Sequence, residues 1–195
     1  MVERESPLGQ AYKPGRHGNV AEAAGVTLSE TRPGSIVEVI AWPGNEKTAL
    51  AAIKSATGLA LPDRPGAGVS REGRAGYGFA PRRWLVIDDR EGAARELHKA
   101  VAETTGVIND LSHGRAVIRI AGPRAEWVLS KLFAVDFSTG AFPVSNGCST
   151  SHHEIFAQIQ RTGKNQFDVV VFRSFARAFW TTLCHSAEEV GYEVS

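Results

Sequence analysis

Between residues 35 and 190 one pattern occurs twice, and this repetition constrains the fold more than any single motif. In the first copy Ile36 to Trp42 reads as a strand closed by Pro43-Gly44. A helix follows with Leu50, Ile53 and Ala56 or Thr57 on one face, and Leu59-Ala-Leu61-Pro62 ends the unit. Arg83 to Asp88 then reads as a buried strand, and Glu91 to Thr104 as a helix with Ala94, Leu97, Val101 and Thr104 in register. In the second copy Ala116 to Ile120 is a strand rich in β-branched residues, closed by Gly122-Pro123. Its helix carries Ala125, Val128, Leu129, Leu132 and Phe133 on one stripe, and Phe142-Pro143 echoes Leu61-Pro62. Gln166 to Phe172 is the later strand. Ser174 to Val190 is the later helix, with Phe175, Phe179, Trp180, Leu183, Ala187 and Val190 inward and Ser174 as N-cap. Pro43 and Pro123 are 80 residues apart, Pro62 and Pro143 81, Leu85 and Val170 85. Agreement in order and near-agreement in spacing mark an internal duplication. Strands interleaved with helices, too few for a doubly wound sheet, predict an α+β protein of two ferredoxin-like β-α-β halves related by a pseudo-two-fold axis.

The expected organisation is an extended N-terminal arm over 1–34 and one duplicated domain over 35–195, with repeat 1 about 35–106 and repeat 2 about 107–195. The first 25 residues are polar and carry few apolar groups, which suits a tail, or an arm ordered across another subunit. A chain of 195 residues with 43% hydrophobic content can bury one sizeable core or two small ones. Its 22 basic and 21 acidic residues balance, which argues against a dedicated nucleic-acid binder. Cys148 and Cys184 lack the paired spacing of a disulfide framework or zinc module. With no signal-like stretch and no run of about 20 apolar residues, the expectation is a cytoplasmic protein that engages no membrane.

Candidate chemistry is sparse. Asp110, Ser112 and His113 are the residue types of nucleophilic catalysis, but three members within one turn do not place a base between its partners, and an Asx-type turn explains them. His152-His153 would point to opposite faces of a strand and find no second-ligand spacing. The loop from Arg64 to Phe79 holds five glycines and Arg64, Arg71 and Arg74, without the Gly-Lys-Ser/Thr of a phosphate loop. It reads as a hairpin or a basic partner-binding loop. No catalytic, cofactor or metal residue is assigned. The partner-interface candidates are Arg71, Arg74, Arg115, Arg119, Arg173 and Phe175.

Ser6-Pro-Leu8, Asp110-Leu-Ser112 with Gly114-Arg115, Gly122-Pro123, and Arg173-Ser-Phe-Ala176 with Trp180 together resemble the γ-subunit family of heterotetrameric sarcosine oxidases, over nearly the whole chain. That family is related to the aminomethyltransferase (T-protein) of the glycine cleavage system, whose folate-binding domain is a duplicated α+β structure. The resemblance implies a non-catalytic subunit of a complex that oxidises sarcosine to glycine, releasing hydrogen peroxide and, with tetrahydrofolate, 5,10-methylenetetrahydrofolate. It implies α, β and δ subunits as partners, with FAD, FMN, NAD, tetrahydrofolate and zinc held by those other chains.

The sequence departs from the aminomethyltransferase pattern where folate would sit. Arg161-Thr162-Gly163 is followed directly by Lys164-Asn165-Gln166, and the Tyr-Thr-Gly-Glu loop is missing. No folate site is therefore expected in this chain. The alternatives are a γ-like subunit of N-methylglutamate dehydrogenase and a free-standing folate-binding one-carbon transferase.

Overall fold

The computed structural model describes residues 5–195. The strands are β1 (Gly15–His17), β2 (Val26–Thr31), β3 (Ser35–Ala41), β4 (Gly68–Arg71), β5 (Arg74–Ala80), β6 (Arg83–Asp88), β7 (Gly106–Asp110), β8 (Arg115–Ala121), β9 (Gly147–His152), β10 (Ile155–Gly163), β11 (Gln166–Phe172) and β12 (Tyr192–Val194). The helices are α1 (Glu46–Thr57), α2 (Ala93–Ala100), α3 (Ala125–Ser130) and α4 (Ala176–Ala187). The chain forms an α+β structure of two units. One comprises residues 32–112 with 144–148, the other the remainder.

The first unit is built on a five-stranded sheet in the order β4-β5-β6-β3-β7. Without the added hairpin strand β4, this is the β-α-β-β-α-β arrangement with the first and third strands central. Val37, Val39 and Ala41 of β3 and Trp84 and Val86 of β6 alternate onto one face. There they form a core with Ile53 of α1, Leu97 of α2 and Ile108 of β7. Helix α1 stops at Gly58, whose φ of 76° is a left-handed C-cap donating to the Lys54 carbonyl. Helix α2 is shorter than its hydrophobic register predicts, because Val101 already adopts an extended backbone.

The second unit has a seven-stranded sheet in the order β1-β12-β2-β8-β11-β10-β9. Strands β8, β11 and β10 are the counterparts of β3, β6 and β5, and helices α3 and α4 the counterparts of α1 and α2. Ile118, Ile120, Phe167, Val169, Ile159, Phe179 and Leu183 are all fully buried. Here the place occupied by β7 in the first unit, antiparallel to the leading strand, is filled by β2.

Two assignments therefore differ from the sequence reading. Gly106–Asp110, expected to open repeat 2, pairs with β3 and completes the first sheet. Val26–Thr31, expected within the arm, pairs with β8 and completes the second. The rest of the described arm is also tied to its own chain, with residues 1–4 of the expected segment lying outside the described residues. Leu8 is fully buried, and its N–H donates to the Ser6 hydroxyl, which itself donates to Glu30 at 2.6 Å. Tyr12 stacks on Trp180 at 5.3 Å between ring centroids, and the Trp180 indole donates to the Ala11 carbonyl at 3.1 Å. Four apolar or aromatic groups suffice because α4 supplies a preformed seat.

Gly122 keeps the motif that closes β8. Its φ is 132°, and a Cβ there would lie 2.6 Å from the Gly25 carbonyl oxygen.

Candidate partner interface

Each residue that looked chemical in the sequence has a definite place. Asp110 Oδ1 accepts from the Ser112 N–H at 3.0 Å and from its hydroxyl at 2.5 Å, the geometry of an Asx turn. The Ser112 hydroxyl oxygen also accepts from the Ile36 N–H at 2.9 Å, tying the end of β7 to β3. Its proton is directed to the carboxylate rather than to a base, and His113 is exposed. His152 Nδ1 contacts the Leu132 carbonyl at 2.9 Å, while His153 occupies the following turn with φ of 50°. Among the described residues no group of three or more His, Cys, Asp or Glu is placed to hold a metal. No helix among them is long and apolar enough to cross a membrane.

The two cysteines are free and half-buried, and burial pushes both thiols up to about 11. Burial also pushes the Tyr192 hydroxyl up to about 12. Neither thiol has the lowered pKa of a nucleophile.

The glycine-rich segment is the hairpin β4–β5. Its turn is Glu72-Gly73, with Gly73 at φ 71°. Residues 144–148 add to this unit: Gly147 donates to the Gly66 carbonyl at 3.0 Å, and the Tyr77 hydroxyl donates to the Cys148 carbonyl at 3.2 Å.

Of the six partner-interface candidates, two are internal ties. Arg74 pairs with Asp88 at 3.1 Å and donates to the Thr57 carbonyl at 2.8 Å. Arg119 grips Asp168 through two parallel bonds of 2.7 and 2.8 Å. The reason is the same in both places: Asp88 and Asp168 are buried, and a buried carboxylate requires a counter-charge. The first unit has a matching device in mid-β3. There buried Glu38 accepts from Arg83 and, at 2.9 Å, from Asn109.

The remaining four lie at the surface. Arg71 is exposed on the β4–β5 hairpin. Arg115 lays its guanidinium 3.7 Å from the centroid of the Phe172 ring. Arg173 donates to the Glu5 carbonyl at 2.6 Å. Phe175, expected to face inward, is 40% exposed. Arg173–Phe175 forms a 3-10 turn, which rotates Phe175 off the stripe that begins at Ala176, and Ser174 inside that turn makes no cap. Phe156 and Phe172, which the sequence reading did not single out, are 36% and 38% exposed. The signal was present in the alternation of Ile155-Phe156-Ala157, which turns the large ring away from a buried face.

The irregular stretch between α3 and β9 is organised by Arg161, the most buried charge of the chain. Its side chain is 0% exposed. It donates to the carbonyls of Phe137 at 2.9 Å, Phe142 at 3.0 Å and Lys164 at 3.1 Å, and to Glu126 at 2.5 Å. Lys164 and Asn165 form the tight connection from β10 to β11.

A model of the sarcosine oxidase, gamma subunit family matches residues 44–189. The chain is 33% identical over 170 residues to sarcosine oxidase subunit gamma of Arthrobacter sp., covering 86% of this chain and 81% of that one. It is 34% identical over 176 residues to the subunit of the same name from Corynebacterium sp. (strain P-1), covering 88% and 84%. Among solved structures it matches a chain of the heterotetrameric sarcosine oxidase from Corynebacterium sp. U-96 in complex with pyrrole 2-carboxylate. That match has a TM-score of 0.82 and 28% identity, over 96% of each chain. The glycine cleavage system aminomethyltransferase T from Bartonella henselae shares the fold. Its TM-score is 0.62 at 16% identity, over 88% of this chain and 48% of that one.

Proposed function

This chain belongs to the sarcosine oxidase gamma-subunit family, and on that premise we propose that it is the non-catalytic subunit of a heterotetrameric sarcosine oxidase. The observation that carries this reading is the end-to-end structural likeness to one chain of such a complex. In the proposed assembly the α, β and δ subunits are its partners. They hold FAD, FMN, NAD, tetrahydrofolate and zinc, and they perform the oxidation of sarcosine to glycine in the cytoplasm. This chain contributes a rigid docking body.

Two features support that division of labour. Asp110, Ser112, Arg74, Arg119 and Arg161 are spent on internal hydrogen bonds and ion pairs that close the fold. The β10–β11 connection that would lie beside a pterin is short and pinned by Arg161 to the Lys164 carbonyl.

Purification of the tagged chain from its host under gentle conditions tests the reading. Co-elution with yellow, flavin-containing subunits and sarcosine-dependent peroxide formation is the expected result. N-methylglutamate in the same assay checks the substrate. A colourless monomer with no partners refutes it, and calorimetric heat from tetrahydrofolate binding to the isolated chain points to a folate-binding transferase instead.

A further inference from the structure

The row formed where β8, β11 and β10 meet at one end of the seven-stranded sheet is unusual for a protein surface. Ala157 pairs with Val171, so Phe156 and Phe172 stand directly opposite each other, with ring centroids 6.1 Å apart. Phe172 in turn pairs with Arg115 of β8, whose guanidinium covers its ring. Phe175 follows in the adjoining 3-10 turn, which is held by the Arg173 N–H donating to the Gly114 carbonyl at 3.0 Å. Three phenylalanines, each more than a third exposed, thus lie in one fixed neighbourhood. Aromatic pairs across strands gain most when desolvated, and clustered exposed aromatics beside arginine are the composition of interface centres rather than of solvated surface.

The charge pattern selects the occupant. Arg115 and Arg173 flank the row, exposed His113 precedes Arg115, and none of the residues forming the row or its flanks is acidic. Glu154 lies beyond Phe156 at the hairpin tip. A second copy of this chain would bring arginine against arginine across an isologous contact. We propose that this row is the docking surface for an acidic segment of a partner subunit, which seats an apolar side chain on Phe156 and Phe172 and a carboxylate against Arg115. The proposal rests on the reading of the chain as a subunit of a complex and names the face it uses.

The test is co-purification of the full chain with its flavin-bearing partners, for wild type, for the double variant Phe156→Ser/Phe172→Ser, for Arg115→Glu, and for Arg71→Glu on the β4–β5 hairpin. The expected result is recovery in the complex reduced by about tenfold or more for the first two variants and unchanged for Arg71→Glu. Wild-type assembly should weaken with added salt, and Arg115→Glu should remove much of that dependence. Melting of each isolated variant is recorded alongside. If the serine pair unfolds the chain, Arg115→Glu alone decides. Normal assembly of both row variants overturns the docking surface and leaves the subunit reading intact. Absence of partners for the wild type overturns both. A wild-type dimer that becomes monomeric in the row variants assigns the surface to a second copy and overturns the acidic partner.

Discussion

Replacing Arg161 by methionine keeps most of the stem's apolar volume and removes the guanidinium, so it isolates the polar role of that group. Three carbonyls and one carboxylate lose a donor. They are not equivalent. Lys164 is an exposed residue, and Glu126 is 38% exposed, so water can replace the lost bond at both. Phe137 and Phe142 are 2% and 6% exposed, and their carbonyls would remain buried. An unsatisfied buried acceptor costs about 1–3 kcal/mol. Two of them, with the cation–π contact to Phe167 also lost, give a total of about 3–5 kcal/mol, the range for breaking a buried charged network. For a chain of this length, each kcal/mol lowers Tm by about 2–4 °C, so the loss is about 6–20 °C. Urea denaturation followed by tryptophan fluorescence measures the free energy directly, and a thermal melt gives the shift. Arg161→Lys should recover only part of the loss, because an ammonium lacks the planar fork that reaches Phe137 and Phe142 through one nitrogen and Lys164 and Glu126 through others. Glu126→Gln should cost less than about 1 kcal/mol, as expected for a partly exposed partner. A methionine variant that melts within about 2 °C of wild type would refute the reasoning, since the two carbonyls would then have found other donors at no cost.

Other expectations follow from single contacts. Leu8→Ala should destabilise the chain by about 2–4 kcal/mol and shift Trp180 emission to the red, as the N-terminal segment lifts from α4; a silent variant would mean the segment is not bound in solution. Ser112→Ala should cost about 1–3 kcal/mol by orphaning the Ile36 N–H, yet leave sarcosine turnover per assembled complex unchanged; a loss of turnover at full assembly would restore Ser112 as a chemical residue. Gly122→Ala should lower Tm because the added methyl meets the Gly25 carbonyl, measured by the same melt. Burial raises Cys148, Cys184 and Tyr192 in the folded state, to about 11, about 11 and about 12. The neutral forms are therefore favoured by folding, so their contribution is intact below the unfolded-state values and is lost as pH rises toward the folded ones. Stability should fall between about pH 9 and 11, and Cys148→Ala with Cys184→Ala should flatten that decline in a pH series of melts.

The strands that lie in the middle of each sheet were legible because both faces of their alternation carry a signal. Arg83–Asp88 and Gln166–Phe172 stand in the structure with the bounds their sequence implies. The flanking strands were not legible. Val26–Thr31 reads Val-Thr-Leu-Ser-Glu-Thr, an ordinary half-polar hexamer that becomes a strand only because β8 offers it an edge. Gly106–Asp110 was hidden by the Asx turn that follows it. The surface was harder still. Phe175 continues the helical stripe in sequence, and a local switch to 3-10 geometry puts it outside. Arg74 and Arg119 looked free because their carboxylate partners, Asp88 and Asp168, are 14 and 49 residues away and meet them only through sheet register.

The placement of β1 and β2 reverses the order in which the chain can be finished. Gly15–His17 pairs with Tyr192–Val194, and the Tyr12 hydroxyl bonds the Ser195 carbonyl. The first segment to leave the ribosome must therefore wait for nearly the last one before it has anything to pair with. Such contacts carry the largest loop-closure entropy the chain can have. During synthesis residues 5–31 remain an unpaired strand edge while the first unit, complete once Asp110 and Ser112 are made, can already fold behind them. Loss of even a few C-terminal residues should thus be felt first at the N-terminus, as protease sensitivity near residues 12–25.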